Sequence, residues 1–188
     1  QGRFADVTQI AAPVAVVGHY RGIEPVNAIG AIDRALDGWI ARAVKRGMIS
    51  GQLGETFYVP TKGRIGADGV VVAGMGDFGR FNASALRQLM ANVGIGAAAL
   101  GVKSIASVLV GAGEGALDRD TALRELLEGL GTGLADLRDE AGNGEASLKQ
   151  LVLVERNPRR YFELLGRLRT IAKDGGLSTV RLKLRNPV

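Results

Sequence analysis

Cysteine is absent from this chain of 188 residues, and histidine occurs once, as His19. The missing cysteines exclude disulfide bonds, thiolate catalysis and every zinc site that needs cysteine ligands. A single imidazole excludes a metal centre built from several histidines. Aromatic residues make up only 5% of the chain, and the apolar runs are short and interrupted by glycine. We therefore predict a cytoplasmic protein with no bound metal or cofactor and no membrane partner.

Glycine and apolar residues are plentiful instead. The 28 glycines are about twice the usual share of roughly 7% and are spread along the chain, so we assign them to turns. Hydrophobic residues make up 46% of the chain and charged residues 23%, which indicates a folded domain with a core of its own.

Two apolar strands organise the predicted fold. The first covers residues 57–59 and stops at Pro60, and the second covers 70–73 and runs into a turn containing Gly74, Gly76 and Gly79. Nearly continuous apolar residues are typical of strands that are covered by helices on both faces.

Further strands and helices alternate along the chain. Helical spacing of apolar residues predicts helices at 28–46 and 83–100, one after Asp118, and a last one that begins at Asn157-Pro158 and ends at Gly175. Strands are predicted at 4–10, 13–18, 104–110, 148–154 and 179–185, and a mobile loop at 131–147. This alternation indicates an α/β three-layer sandwich, with a mixed sheet and helices on both faces.

Two glycine-rich turns are candidate ligand sites. Gly111, Gly113 and Gly115 lie between a predicted strand and a helix, where backbone amides can hold a phosphate. Gly74 and Gly76 form a similar turn. The alternative is that both are tight turns without a ligand, because acidic residues lie in them and the spacing departs from the dinucleotide fingerprint. His19 lacks a nearby nucleophile, so we interpret it as a bystander.

The positive charge is concentrated near the end of the chain. Residues 156–188 carry nine Lys or Arg against two acidic residues, whereas residues 1–155 carry fifteen against seventeen. This segment is a candidate surface for an acidic partner or a nucleic acid. The alternatives are a solvated basic face and a docking surface for a neighbouring domain. Its candidate residues are Arg156, Arg159, Arg160, Arg181, Lys183 and Arg185.

The organising stretch resembles the N-terminal domain of the leucyl aminopeptidase family of metallopeptidases. The resemblance rests on a helix ending in Lys-Arg-Gly47, on the segment Gly-Gln-Leu-Gly-Glu-Thr at 51–56, and on Val-Val-Val-Ala-Gly-Met-Gly at 70–76. Glu-Gly-Leu at 128–130 is similar too. The family's catalytic motif Asn-Thr-Asp-Ala-Glu-Gly-Arg does not occur in the sequence, so the resemblance assigns no catalytic residue to this chain.

The resemblance implies a macro-domain-like fold over residues 1–155. Residues 156–188 then complete the same domain or lead to another one. It implies a noncatalytic domain that serves assembly, regulation or partner contact, in a homo-oligomer or with another domain of a longer polypeptide. The alternatives are a macro-like module that binds ADP-ribose or a related nucleotide, and a domain that binds nucleic acid through the basic segment.

Overall fold

The computed structural model describes residues 1–113, 116–140, 148–175 and 177–178. Its centre is one six-stranded sheet with the order β1-β6-β5-β2-β4-β3. All neighbouring strands are parallel except β3, which pairs antiparallel with β4 at one edge. The predicted mixed sheet is therefore confirmed. The strands are β1 (Gly2–Phe4), β2 (Ala12–Arg21), β3 (Thr56–Pro60), β4 (Ala67–Asp77), β5 (Ser104–Ser107) and β6 (Gln150–Glu155).

Within the described ranges, five α-helices cover the two faces of the sheet. They are α1 (Asn27–Ala35), α2 (Trp39–Lys45), α3 (Ala83–Ala99), α4 (Arg119–Glu140) and α5 (Pro158–Asp174). Helices α1 and α2 pack on one face, and α3, α4 and α5 pack on the other. Strand β2 shows the alternation directly, because Val14 and Val16 face the second group while Ala15 and Val17 face the first. The three-layer α/β sandwich is confirmed.

The helix predicted at 28–46 is two helices. Asp37 and Gly38 both have left-handed backbone conformations, with φ of 53° and 72°, and they end α1 before α2 begins. The amide of Gly38 donates to the carbonyl of Asp33 at 2.8 Å, which satisfies the end of α1. The apolar periodicity continues through this break because both helices bury the same face, and so the sequence pattern does not reveal it.

The loop predicted at 131–147 is also wrong over its described part, 131–140, because α4 continues to Glu140. Gly133, one of the glycines that suggested a loop, is a contact point between helices, and so is Gly129 just before the predicted loop. A Cβ atom added to Gly129 or Gly133 would collide with the carbonyl oxygen of Arg87 or Ala91 on α3. Glycine is therefore needed here for close helix packing rather than for a turn.

Several strand limits differ from the prediction. The predicted strand at 4–10 is the short β1 followed by a 3-10 turn at Val7–Gln9, which Asp6 caps by accepting from the amide of Thr8 at 3.0 Å. Strand β4 continues through Gly74 and Gly76, since its pairing with β2 extends to Asp77. Strand β5 ends at Ser107 instead of 110, and the strand predicted at 179–185 lies outside the described residues.

Three helix starts agree with the prediction. Asn82 caps α3, Asp118 lies before α4, and Asn157 caps α5 with Pro158 at the first helical position. Helix α5 ends at Gly175 as expected. It buries Leu164, Leu168 and Ile171 in the same core as α3 and α4. The division into residues 1–155 and 156–188 stays a prediction.

Candidate functional site

A cleft opens at the carboxyl ends of the central parallel strands. Strand β2 is where the strand order reverses, since the chain continues from β2 to β4 on one side and later to β5 on the other. In open α/β sheets, the crevice beyond the carboxyl ends at such a point is the usual place for a ligand. Here this crevice contains a cavity of about 380 Å³, which we call the apolar half of the cleft.

The walls of the apolar half come from four parts of the chain. They are the end of β2, the segment 23–29 that includes the first turn of α1, the end of β4, and the segment 108–113 after β5. Ile23, Val26 and Phe78 lie at its mouth and are 39%, 49% and 54% exposed. Tyr20 holds the ring of Phe78 in an edge-to-face contact, with 5.2 Å between the ring centroids. The walls are thus mainly aliphatic and aromatic.

His19 is the most buried polar residue of this lining. It is 2% exposed, and its Nε2 has no hydrogen-bond partner among the described residues. Burial lowers the pKa of His19, while the charge of Glu55 acts in the opposite direction. The imidazole is therefore neutral at physiological pH, and it is a buried polar group with an unmet hydrogen bond.

A second cavity of about 330 Å³ adjoins the first, and we call it the basic half of the cleft. The two halves share the lining residues Asn27, Ala28, Val108, Leu109 and Gly113, so they form one continuous cleft.

Charged side chains line this second half. They are Arg119, Arg156, Arg160, Asp6 and Glu155. Arg119 lies 3.8 Å from Glu155, and Arg156 lies 4.0 Å from Asp6. The pKa of Asp6 is lowered mainly by the hydrogen bond from the amide of Thr8, with smaller contributions from the Thr8 hydroxyl and from Arg156.

The structure brings only some of the predicted site residues together. Gly111 and Gly113 line the cleft. Gly74 and Gly76 lie on β4 against the segment 52–55 and are not part of the described lining. Gly115 lies outside the described residues.

The predicted basic surface is divided in the same way. Arg156 and Arg160 line the basic half of the cleft, whereas Arg159 is exposed and pairs with Glu163 at 3.2 Å. Arg181, Lys183 and Arg185 lie outside the described residues. The nucleic-acid interpretation, which depends on them in part, stays a prediction.

Sequence reasoning missed much of the cleft. Phe78 and Arg119 line it, yet they carry no motif, and Met75 entered only as part of the segment 70–76. His19 was set aside as a bystander. The signal that could have found them is positional, because the carboxyl ends of adjacent parallel strands meet at one edge of the sheet.

Within the described residues, no group of three or more His, Asp or Glu side chains is placed to hold a metal ion, and no helix is long and apolar enough to cross a membrane.

Comparison with known proteins identifies the family. The profile described as "Cytosol aminopeptidase family, N-terminal domain" matches residues 16–135, which is more than half of the chain. The chain belongs to the cytosol aminopeptidase family. The predicted resemblance to the leucyl aminopeptidase N-terminal domain is thereby confirmed, and the match runs from the middle of β2 through β5 to most of α4.

Among cytosol aminopeptidases, the chain is similar to a probable cytosol aminopeptidase of Alkaliphilus oremlandii (strain OhILAs). The two are 29% identical over 110 residues, which is 58% of this chain and 22% of that protein. The chain thus spans about a fifth of the length of this relative.

Solved structures show the same fold. A Trypanosoma brucei macrodomain in complex with ADP superimposes with a TM-score of 0.68 at 17% identity, covering 87% of this chain and 66% of that one. A mutant of tomato leucine aminopeptidase superimposes with a TM-score of 0.63 at 13% identity, covering 92% of this chain and 36% of that one. The chain is an N-terminal domain of the cytosol aminopeptidase family with a macrodomain-like fold.

Proposed function

We propose that this chain acts as a noncatalytic N-terminal domain that mediates assembly between copies of a cytosol aminopeptidase-like protein. The observation that carries this proposal is an aromatic surface beside β1, the outermost strand of the described sheet, made by Phe4, Tyr161 and Phe162. The Phe4 and Tyr161 ring centroids are 5.8 Å apart, and those of Tyr161 and Phe162 are 5.5 Å apart. Phe4 is 54% exposed and Phe162 is 69% exposed.

Such a surface favours association. Burying exposed phenyl rings contributes about 25 cal/mol for each Å² removed from water. Aromatic residues and arginine are also enriched in protein interfaces. The neighbouring strand β1 is at the end of the sheet order, and one side of its backbone has no strand neighbour among the residues that the structure describes, which favours pairing with another chain.

The charges around this surface favour a second copy of the chain as the partner. Arg156 lies 4.0 Å from Asp6, and Arg159 lies 3.2 Å from Glu163, so both signs of charge occur side by side. A surface with both signs can complement itself across a two-fold axis. An acidic partner would gain less from it, because the neighbouring carboxylates would repel that partner.

Sedimentation velocity of the chain over a range of concentrations tests assembly. We expect concentration-dependent association that Phe162→Glu weakens. Met48→Glu is the matched control, because Met48 is 49% exposed and lies in the turn after α2. A wild-type chain that stays monomeric at every concentration would refute assembly through this surface, and so would equal dissociation in both variants. Hydrolysis of leucine p-nitroanilide by the chain with added Zn²⁺ or Mn²⁺ would refute the noncatalytic role.

We also propose nucleotide binding, including ADP-ribose, as a second candidate function. The observation that favours it is the continuous cleft, whose apolar half is lined mainly by aliphatic and aromatic side chains and whose basic half contains three arginines. An apolar cavity with a few polar groups is typical of small-molecule sites. The similar Trypanosoma brucei macrodomain was solved in complex with ADP, which supports a nucleotide as the ligand class.

Calorimetric titration with ADP-ribose tests this second candidate. Gly113→Phe should abolish binding, because a Cβ atom at Gly113 points into open space and a phenyl ring there would fill the cleft without disturbing the fold. Gly166→Phe is the matched control, since a Cβ atom at Gly166 on α5 also meets open space. Micromolar affinity corresponds to about −8 kcal/mol. Absence of binding heat with the wild-type chain, or an equal loss of ADP-ribose affinity in both variants, would refute an ADP-ribose site in this cleft.

A further inference from the structure

Another cavity, of about 400 Å³, lies at the opposite end of the sheet from the cleft. Its lining comes from the junction of α1 and α2, within residues 36–42, and from the end of β3 and the turn after it, within residues 59–64. This turn leads into the amino end of β4, whereas the cleft lies at the carboxyl ends of β2 and β5. We call this cavity the hairpin pocket.

The hairpin pocket has apolar walls and a basic rim. Leu36 and Val59 are buried, and the indole of Trp39 packs against the ring of Phe57, with 6.3 Å between the ring centroids. The exposed charged residues of the lining are three cations and one carboxylate, namely Arg42, Lys62, Arg64 and Asp37. This lining therefore favours an apolar group that has negative charge beside it.

The one carboxylate of the lining is already paired. Arg64 forms a salt bridge with the Asp37 carboxylate, and Arg42 donates to the Asp37 carbonyl oxygen at 2.6 Å. Lys62 makes no salt bridge with any residue that the structure describes. It lies in a tight turn that the amide of Arg64 closes by donating to the carbonyl of Thr61 at 3.1 Å. The ammonium of Lys62 is therefore the cation most available to a partner.

Strand β3 presents backbone groups beside this pocket. The amide of Thr61 donates to the carbonyl of the opposite residue on β4, Asp68, at 3.0 Å. Because bonded pairs alternate along antiparallel strands, the backbone groups of Thr56 and Tyr58 point away from β4. Strand β3 is last in the sheet order, and no strand that the structure describes lies on that side. An extended peptide can add there as a further strand.

We propose that the edge of β3 and the hairpin pocket together dock an extended segment of a partner protein that combines an apolar residue with acidic residues. The backbone of the segment pairs with Thr56 and Tyr58, as in other cases of strand addition. One of its apolar side chains enters the pocket beside Trp39 and Val59, and its carboxylates meet Lys62 and the neighbouring arginines.

Charge sets the kind of partner. Residues 179–188 of this chain carry Arg181, Lys183 and Arg185 and no acidic residue, so the basic rim would repel them. An acidic segment instead gains from the same rim. The proposal does not depend on either proposed function, because β1 with its aromatic surface is at the other end of the sheet order and the cleft is at the other end of the strands.

Titration calorimetry with two synthetic peptides tests the proposal. The probe is acetyl-Glu-Glu-Val-Thr-Leu-Thr-Val-Glu-Glu-amide, whose acidic residues at both ends can reach the basic rim in either strand direction. The control peptide has lysine in place of every glutamate. We expect saturable binding of the acidic peptide, and weaker binding of the basic peptide by a factor of about ten or more.

A matched pair of variants locates the site. Lys62→Gly removes the cation without straining the turn, because glycine adopts the φ of 53° at this position more readily than lysine does. It should lower the affinity for the acidic peptide about tenfold. Lys103→Gly is the control, since Lys103 is exposed in the bend before β5 and does not line the pocket. In the complex, hydrogen exchange of the Thr56 and Tyr58 amides should become slower.

Each contrary result overturns a stated part of the proposal. Absence of binding heat at millimolar acidic peptide, or equal affinity for the two peptides, would overturn recognition of an acidic segment. An equal loss of affinity in both variants would overturn the role of the hairpin pocket. Unchanged exchange of the Thr56 and Tyr58 amides in the complex would overturn docking on β3. Protection of these amides that rises with chain concentration in the absence of peptide would assign the edge to a second copy of the chain instead.

Discussion

Replacing Gly129 with alanine tests the close packing of α3 and α4. A Cβ atom at Gly129 would collide with the carbonyl oxygen of Arg87 and lie 2.9 Å from the Cβ atom of Met90. Real Cβ atoms do not approach backbone that closely, so the two helices would have to separate. Inserting one carbon into a packed core typically costs about 1–3 kcal/mol.

Helix propensity acts in the opposite direction. Alanine is more favourable than glycine in a helix by about 1 kcal/mol, and this gain offsets part of the packing cost. Because the predicted collision involves backbone, the packing cost should lie in the upper part of its range. We therefore expect Gly129→Ala to lower the free energy of unfolding by about 1–2 kcal/mol, which is a decrease in Tm of several degrees.

The matched control is Gly96→Ala on α3, where a Cβ atom meets nothing within 4 Å. The same chemical change should stabilise the protein there by about 0.5–1 kcal/mol. Urea unfolding followed by circular dichroism measures both variants. If Gly129→Ala stabilised the chain as much as Gly96→Ala, the close approach of α3 and α4 would be contradicted.

Three further predictions concern polar side chains that are buried or hold a backbone segment. Burial lowers the pKa of His19 below its ordinary value near 6.5, so the unfolded chain binds a proton that the folded chain does not. The free energy of unfolding should therefore fall as the pH drops below about 6.5. Urea unfolding at several pH values should show that His19→Leu removes this dependence, and an unchanged dependence would contradict the assignment. Glu55 accepts hydrogen bonds from the amide of Gly51 at 2.7 Å and from the hydroxyl of Ser50 at 3.0 Å. Glu55→Gln should therefore accelerate hydrogen exchange of the backbone amides of residues 50–52. Unchanged exchange would show that the Glu55 carboxylate does not hold this segment. Glu128 is 7% exposed and accepts hydrogen bonds from the amide of Ser178 at 2.6 Å and from its hydroxyl at 2.8 Å. Glu128→Ala should therefore lower the free energy of unfolding, measured in urea, by about 1–3 kcal/mol. Ser178→Ala should reproduce only part of this loss, because it leaves the amide donor in place.

Local chemistry made much of the fold predictable from the sequence. The apolar runs of β2 and β4 have the composition of strands buried on both faces, and the caps at Asn82 and Asn157 satisfy amide groups within one turn of the chain. Each of these sequence signals lies within a few residues of the helix or strand that it predicts. The secondary-structure predictions were wrong where one residue type can have two structural roles. Gly38 ends a helix, whereas Gly129 and Gly133 allow two helices to touch, and composition alone does not separate these roles.

By itself, the sequence determined the α/β alternation, the membership of the cytosol aminopeptidase family and the location of the basic segment, because each of these depends on order along the chain. Only the tertiary structure decided which residues form the cleft. His19, Phe78 and Arg160 are far apart in sequence and meet at the carboxyl edge of the sheet because parallel strands end there together. The division of that cleft into an apolar and a basic half is likewise a property of the packed molecule, since it depends on which charges the fold places side by side.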